Sequence, residues 1–165
     1  MNLSLRSLDD PGLAERITER VAAQKLAAKH VMLEVTESTA MTNLARALEN
    51  LNRLRMKGFG LSIDDYGTGY SSMQQLSRIP FNELKIDQSF VLSELEKESS
   101  RVILASSLDM ARKLRLKSVA EGVETLAHWE LLQSLGCDVA QGYFVAKPMD
   151  AAAFLDWARH WKPPA

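Results

Sequence analysis

The chain has 165 residues, 46% hydrophobic and 25% charged, with a formal net charge of −1. That length suits one domain with a sizeable core, and the near-zero charge excludes a whole-molecule basic field for DNA or an anionic membrane. A single cysteine, Cys137, excludes an internal disulfide and a cysteine-built zinc site.

No apolar run reaches the ~20 residues of a membrane helix. The opening MNLSLRSLDD is too short, and too interrupted by Arg6, for a signal peptide. A soluble, cytoplasmic domain in a reducing compartment is expected.

The elements follow in chain order. NLSL opens as a strand. Residues 9–26 form a helix, with Asp10 as its cap, Pro11 at its first position and Leu13, Ile17 and Val21 on one face. HVMLEV is a strand. Residues 42–58 form a helix with Leu44, Leu48, Leu51 and Met56 as its apolar stripe and Gly58 as its C-terminal stop. FGLSI and FNELKID are strands, the second after Pro80. Residues 99–116 form a helix, KSVAEG a strand, and residues 125–136 a helix ending at Gly136. CDVAQGYFV is a strand opened by Cys137 as a small buried residue, and residues 150–161 form the last helix. Residues 162–165 are a tail.

Strands alternating with helices imply parallel βαβ units. An open doubly wound sheet and a closed barrel both fit that alternation. No G-x-G-x-x-G opens a helix, which weakens the dinucleotide-binding alternative. Polar residues end nearly every strand: Glu34, Asp64 and Asp65, Lys85, Glu121 and Gln141. A (β/α)8 barrel gathers all such ends at one mouth, whereas an open sheet collects only a few in its crevice. Six strands fall short of eight, so the expected fold is an incomplete TIM-type barrel of about six βα units, a fragment missing an N-terminal part.

Four carboxylates meeting at a mouth repel one another. Hard divalent cations relieve that repulsion, and Asn2 adds a neutral oxygen donor. Such a site suits metal-assisted hydrolysis of a phosphate ester, with Lys85 stabilising developing negative charge. Each residue has an ordinary reading too. An Asp-Asp pair usually caps a turn, and a lysine after a strand is usually solvated. Their shared placement at successive strand ends favours a site. A Schiff-base aldolase built on Lys85 is a further reading, disfavoured by the acid cluster. Trp129, Trp157 and Trp161 read as helix packing, and His30, His128 and His160 lack metal-ligand spacing.

The motifs NLS, LEVTES, IDDYGTGYSS, LKID, VAEGVET and QGY stand in that order. From Asn2 to about Pro148 the chain resembles the EAL domain family of bacterial phosphodiesterases. The resemblance implies a modified TIM barrel that cleaves cyclic di-GMP to linear pGpG with Mg²⁺ or Mn²⁺, with Ca²⁺ inhibitory. By motif position it implies two-metal phosphodiester hydrolysis, with Asn2, Glu34, Asp64 and Glu121 as metal ligands, Asp65 as a ligand of the second metal and Lys85 near the nucleophilic water. Gln141 falls near the site, Glu124 lies in the VAEGVET motif, and Glu37 would hold the DDYGTGYSS loop. It further implies a homodimer or domain-swapped oligomer and an upstream sensory or regulatory domain. Tyr66 stands where phenylalanine is commoner, and the Glu-Ala-Leu motif is missing, so weak activity is expected. The alternative within the family is a non-catalytic cyclic di-GMP receptor or interaction domain.

Overall fold

The computed structural model describes residues 1–37, 44–68, 78–93 and 97–164. The later part of the GTGYSS loop and residues 42–43 of the second expected helix lie outside them. Among the described residues, six strands form one parallel sheet in the order β1-β2-β3-β4-β5-β6. They are β1 (Asn2–Leu3), β2 (Met32–Thr36), β3 (Gly60–Tyr66), β4 (Glu83–Ile86), β5 (Lys117–Ala120) and β6 (Val139–Ala140). Strictly sequential order belongs to a barrel, because a doubly wound sheet reverses direction at a switch point. The fold is therefore the expected incomplete TIM-type barrel, open between β1 and β6.

Among the described residues, seven α-helices connect and follow the strands: α1 (Leu5–Leu8), α2 (Leu13–Ala23), α3 (Leu44–Met56), α4 (Gln88–Leu92), α5 (Glu98–Leu114), α6 (Leu126–Ser134) and α7 (Ala151–His160). Several differ from the sequence expectations. NLSL yields only two strand residues, and α1 begins at Leu5. Pro11 precedes α2, whose N-cap is Gly12; Asp10 instead accepts the Gly12 N–H at 2.8 Å and pairs with Arg16. The short helix α4 was not expected; Asp87 caps it by accepting the Ser89 N–H at 3.0 Å. On α3, Leu51 and Leu54 are fully buried while Met56 is exposed, so Leu54 takes the stripe position assigned to Met56. CDVAQGYFV contributes only Val139–Ala140 to the sheet, and Cys137 is half-buried in the turn before it.

The core lies between one face of the sheet and the helices. Leu33, Val35, Leu61, Ile63, Leu84 and Ile86 are fully buried. The register places Leu33 beside Leu61, and Val35 beside Ile63, which lies beside Leu84. These residues share a face because strand side chains alternate. The opposite face carries Glu34, Ser62, Asp64, Glu83 and Lys85 by the same register. That face is less covered at β2, where Met32, Glu34 and Thr36 are half-buried.

Trp129, on α6, lies 6.1 Å from Phe144 and 6.2 Å from Trp161 between ring centroids, and Trp157 lies 5.6 Å from Trp161. The tryptophans thus pack α7 and the chain after it against α6, as expected. No helix among the described residues is long and apolar enough to cross a membrane.

Candidate metal centre

Alternation along parallel strands decides what the site contains. On the less covered face, Glu34 of β2, Asp64 of β3 and Lys85 of β4 all point the same way at the C-terminal ends of adjacent strands. Register carries the same face through Val119 to Glu121, whose N–H continues the ladder to Ile86 O at 3.2 Å. Four residues far apart in sequence therefore meet. Lys85 is only 6% exposed. Its Nζ stands 2.7 Å from Glu121 Oε1, 2.9 Å from Asp64 Oδ1 and 3.5 Å from Glu34 Oε2.

Asp65 follows Asp64 directly, and strict alternation would turn its side chain to the other face. It does not. The β3–β4 register shifts between Ile63 and Tyr66, and Asp65 adopts a left-handed φ of 55°. For a non-glycine residue this conformation is costly, by roughly 1 kcal/mol, though aspartate tolerates it better than most. The result is that Asp64, Asp65 and Glu121 each present an oxygen within 4.8 Å of the others. Glu34 stands outside that trio and joins it through Lys85.

Electrostatics follow from this crowding. Burial raises the Glu121 pKa, and the attraction of Lys85 only partly offsets it. Burial also raises the Asp65 pKa, reinforced by the charges of Asp64 and Asp87. Burial alone would lower the Lys85 pKa, but the Glu121 and Asp64 carboxylates outweigh it and hold that pKa above its ordinary value. An ammonium held by two carboxylates is a poor Schiff-base nucleophile, which disfavours the aldolase reading. Asp64 Oδ1 is buried and faces the Lys85 ammonium at 2.9 Å. A buried carboxylate oxygen beside two more carboxylates fits a hard divalent cation.

The remaining expected residues fall around this cluster. Gln141 Nε2 donates to Glu121 Oε1 at 3.4 Å. Asn2 sits beside Glu34 in the β1–β2 register and is exposed. Glu37 is 3% exposed, and its Oε2 accepts the Gly67 N–H at 3.0 Å, just beyond the Asp64-Asp65 bend. Glu124 is not part of the cluster. Its side chain is exposed, and its backbone N–H donates to His128 Nδ1 at 3.4 Å.

Two features escaped the sequence reading. Asp87, two residues after Lys85 in LKID, adds its charge to the field at Asp65. Gly142 packs so tightly on Val123 that a Cβ there would meet the Val123 carbonyl oxygen at 2.2 Å. The glycine of QGY was visible in the sequence, but its partner was not.

The profile of the family described as "EAL domain" matches residues 1–148. The chain is 41% identical over 155 residues to a Pseudomonas aeruginosa protein, "Bifunctional diguanylate cyclase/cyclic di-GMP phosphodiesterase MucR", covering 94% of this chain and 23% of that one. It is similar to the solved "PaMucR Phosphodiesterase, c-di-GMP complex" at a TM-score of 0.89 and 41% identity, over 93% of this chain and 62% of the other. It is also similar to the Klebsiella pneumoniae BlrP1 manganese/cy-diGMP complex at pH 9.0, at a TM-score of 0.83 and 34% identity, over 90% of this chain and 38% of the other. The chain thus spans under a quarter of the length of MucR. The profile match covers all six strands and the whole acid cluster, so the chain belongs to the EAL domain family.

Proposed function

We propose that this chain forms part of a phosphodiesterase domain that hydrolyses cyclic di-GMP to linear pGpG with Mg²⁺ or Mn²⁺. The observation that carries the reading is the trio of Asp64, Asp65 and Glu121 beside a buried Lys85 at the C-terminal strand ends. The cyclic di-GMP complexes of MucR and BlrP1, the latter with manganese, support it.

Asp64, Asp65 and Glu121 would hold the divalent ion, with Glu34 and Asn2 extending the oxygen set on the β1–β2 side. When bound, such an ion supplies Lewis acidity and a nucleophile at neutral pH. Lys85 places its ammonium where negative charge develops on the phosphoryl group. Gln141 orients Glu121 through its amide, and Glu37 fixes the backbone of the Asp64-Asp65 bend through Gly67. Glu124 serves a supporting role in the VAEGVET loop. Ca²⁺ competes for the same oxygens and inhibits, because its looser coordination positions the reactants poorly.

We assign residues 1–161 to this domain, supported by the tryptophan packing of α7, and place it in the cytoplasm. A homodimer or swapped oligomer would cover the β1 and β6 edges, which otherwise offer unpaired backbone groups. In the parent protein a sensory or regulatory domain would precede this one.

The test is a single-turnover incubation with cyclic di-GMP at excess folded protein, with Mg²⁺ or Mn²⁺, followed by chromatography. Linear pGpG is expected from the wild-type chain and none from Asp64→Asn. Saturable ligand binding with no product in either metal would transfer the assignment to a non-catalytic receptor. Neither binding nor product would remove cyclic di-GMP from the reading.

A further inference from the structure

The ammonium of Lys85 and a divalent ion draw on the same carboxylates. Glu121 and Asp64 belong to the candidate ligand trio, and both are also the nearest partners of Lys85, at 2.7 and 2.9 Å. The lysine cannot simply leave. It is 6% exposed and rises from β4 between Leu84 and Ile86, which are themselves fully buried. Its Nζ is held among the carboxylates of Glu34, Asp64 and Glu121. Resting on the metal-centre reading above, we propose that Lys85 is a built-in counter-cation that competes with the divalent ion for Asp64, holding metal affinity down and keeping the ion exchangeable.

Three observations give the competition its direction. The Asp64 contact is the longer of the two, 2.9 Å against 2.7 Å, so it is the contact that yields. Gln141 donates to the same Glu121 Oε1 at 3.4 Å and steadies that carboxylate, so Nζ stays near Glu121 when Asp64 is taken. Glu34, 3.5 Å away, offers the third anchor toward which Nζ can shift. Like charges confined to one partly desolvated mouth repel strongly, so displacement of Nζ by a few ångströms removes only part of the penalty. The lysine also performs a second task. Removing it leaves Glu34, Asp64, Asp65 and Glu121 facing one another with no cation among them.

The test titrates Mn²⁺ into the whole chain by isothermal calorimetry, with free Mn²⁺ followed by electron paramagnetic resonance. Thermal melting is recorded with and without the ion. Lys85→Met is expected to bind Mn²⁺ about 10- to 100-fold more tightly than wild type, since one positive charge leaves the site. It should melt at a lower temperature without Mn²⁺ and show a larger rise with it. Lys85→Arg keeps the charge and should stay within about threefold of wild type by the same argument. If Lys85→Met does not fold, Glu121→Gln and the double variant Lys85→Met/Glu121→Gln form a matched pair in which one acid is already neutralised. Tighter binding in the double variant than in Glu121→Gln supports the competition. Equal or weaker Mn²⁺ binding on loss of Lys85, in whichever comparison folds, overturns it. Folded wild type and folded variants that all ignore Mn²⁺ would overturn the metal-centre reading itself.

Discussion

Gly142→Ala tests how the two loops that carry Glu121 and Gln141 are clipped together. A Cβ at residue 142 would stand 2.2 Å from Val123 O, 2.3 Å from Val123 N and 2.7 Å from its carbonyl carbon. Those atoms are backbone and cannot rotate aside. The same peptide groups make two hydrogen bonds: Val123 N–H donates to Gln141 O at 3.0 Å, and Phe144 N–H donates to Val123 O at 2.9 Å. Val123 is fully buried, so a displaced N–H or C=O finds no water. Each lost bond costs about 1 kcal/mol net and more if its group stays unpaired; adding overpacking strain, the substitution should destabilise by about 3–5 kcal/mol. Urea unfolding at constant m measures it. Gly60→Ala is the control. Its added Cβ meets Met32 Sδ at 2.7 Å, but a methionine side chain can swing away, so the cost should stay near 1 kcal/mol. The bond from Gln141 to Glu121 should loosen in Gly142→Ala, weakening Mn²⁺ binding in the fraction that folds. A loss below about 1 kcal/mol at unchanged m would refute the steric argument.

Three further outcomes are expected. Glu37→Ala removes a buried acceptor from the Gly67 N–H and should cost about 2–3 kcal/mol, while Glu37→Gln keeps an acceptor and should cost roughly half as much; equal midpoints for both variants and wild type in urea would contradict the bracing role. Phe59→Ala opens a void at a fully buried site and should cost about 3–5 kcal/mol in the same assay, with a change under 1 kcal/mol counting against this core. Asp138 accepts from the Ser118 N–H and from its hydroxyl, each at 2.8 Å, and these bonds hold its pKa below the ordinary value. A lowered folded-state pKa stabilises above the unfolded value of about 4 and loses that contribution as pH falls through the lowered one. The stability gap between wild type and Asp138→Asn should therefore be widest near neutral pH and close in acid; a gap independent of pH would exclude the linkage.

Much of the fold was legible from residues alone. HVMLEV and FGLSI are short apolar runs; β2 and β3 start within two residues of them and run one and three residues past their ends. The 3.6-residue stripe of Leu13 and Ile17 found the buried face of α2. Boundaries failed where a local hydrogen bond competes with propensity. Asp10 turns the chain through Gly12 before α2 can start, and Asp87 ends β4 by capping α4. CDVAQGYFV reads as a strand because it is apolar, yet beyond Ala140 its backbone bonds to Val123 and turns instead of extending the ladder.

For the site, the sequence by itself determined the chemical inventory. Acids, an amide and a lysine stand at the ends of successive apolar runs, and that pattern names both the barrel mouth and a hard-cation site. Only the tertiary structure decided which of them meet. Parallel register brought Glu34, Asp64, Lys85 and Glu121 to one face, because strand side chains alternate and neighbouring strands align. The left-handed turn at Asp65, together with the register shift beside it, brought a second aspartate to the face that alternation would deny it. Distance left Glu124 outside and drew Asp87 in. No one-dimensional pattern encodes such through-space relations, since they depend on how far β3, β4 and β5 slide along one another when the core packs.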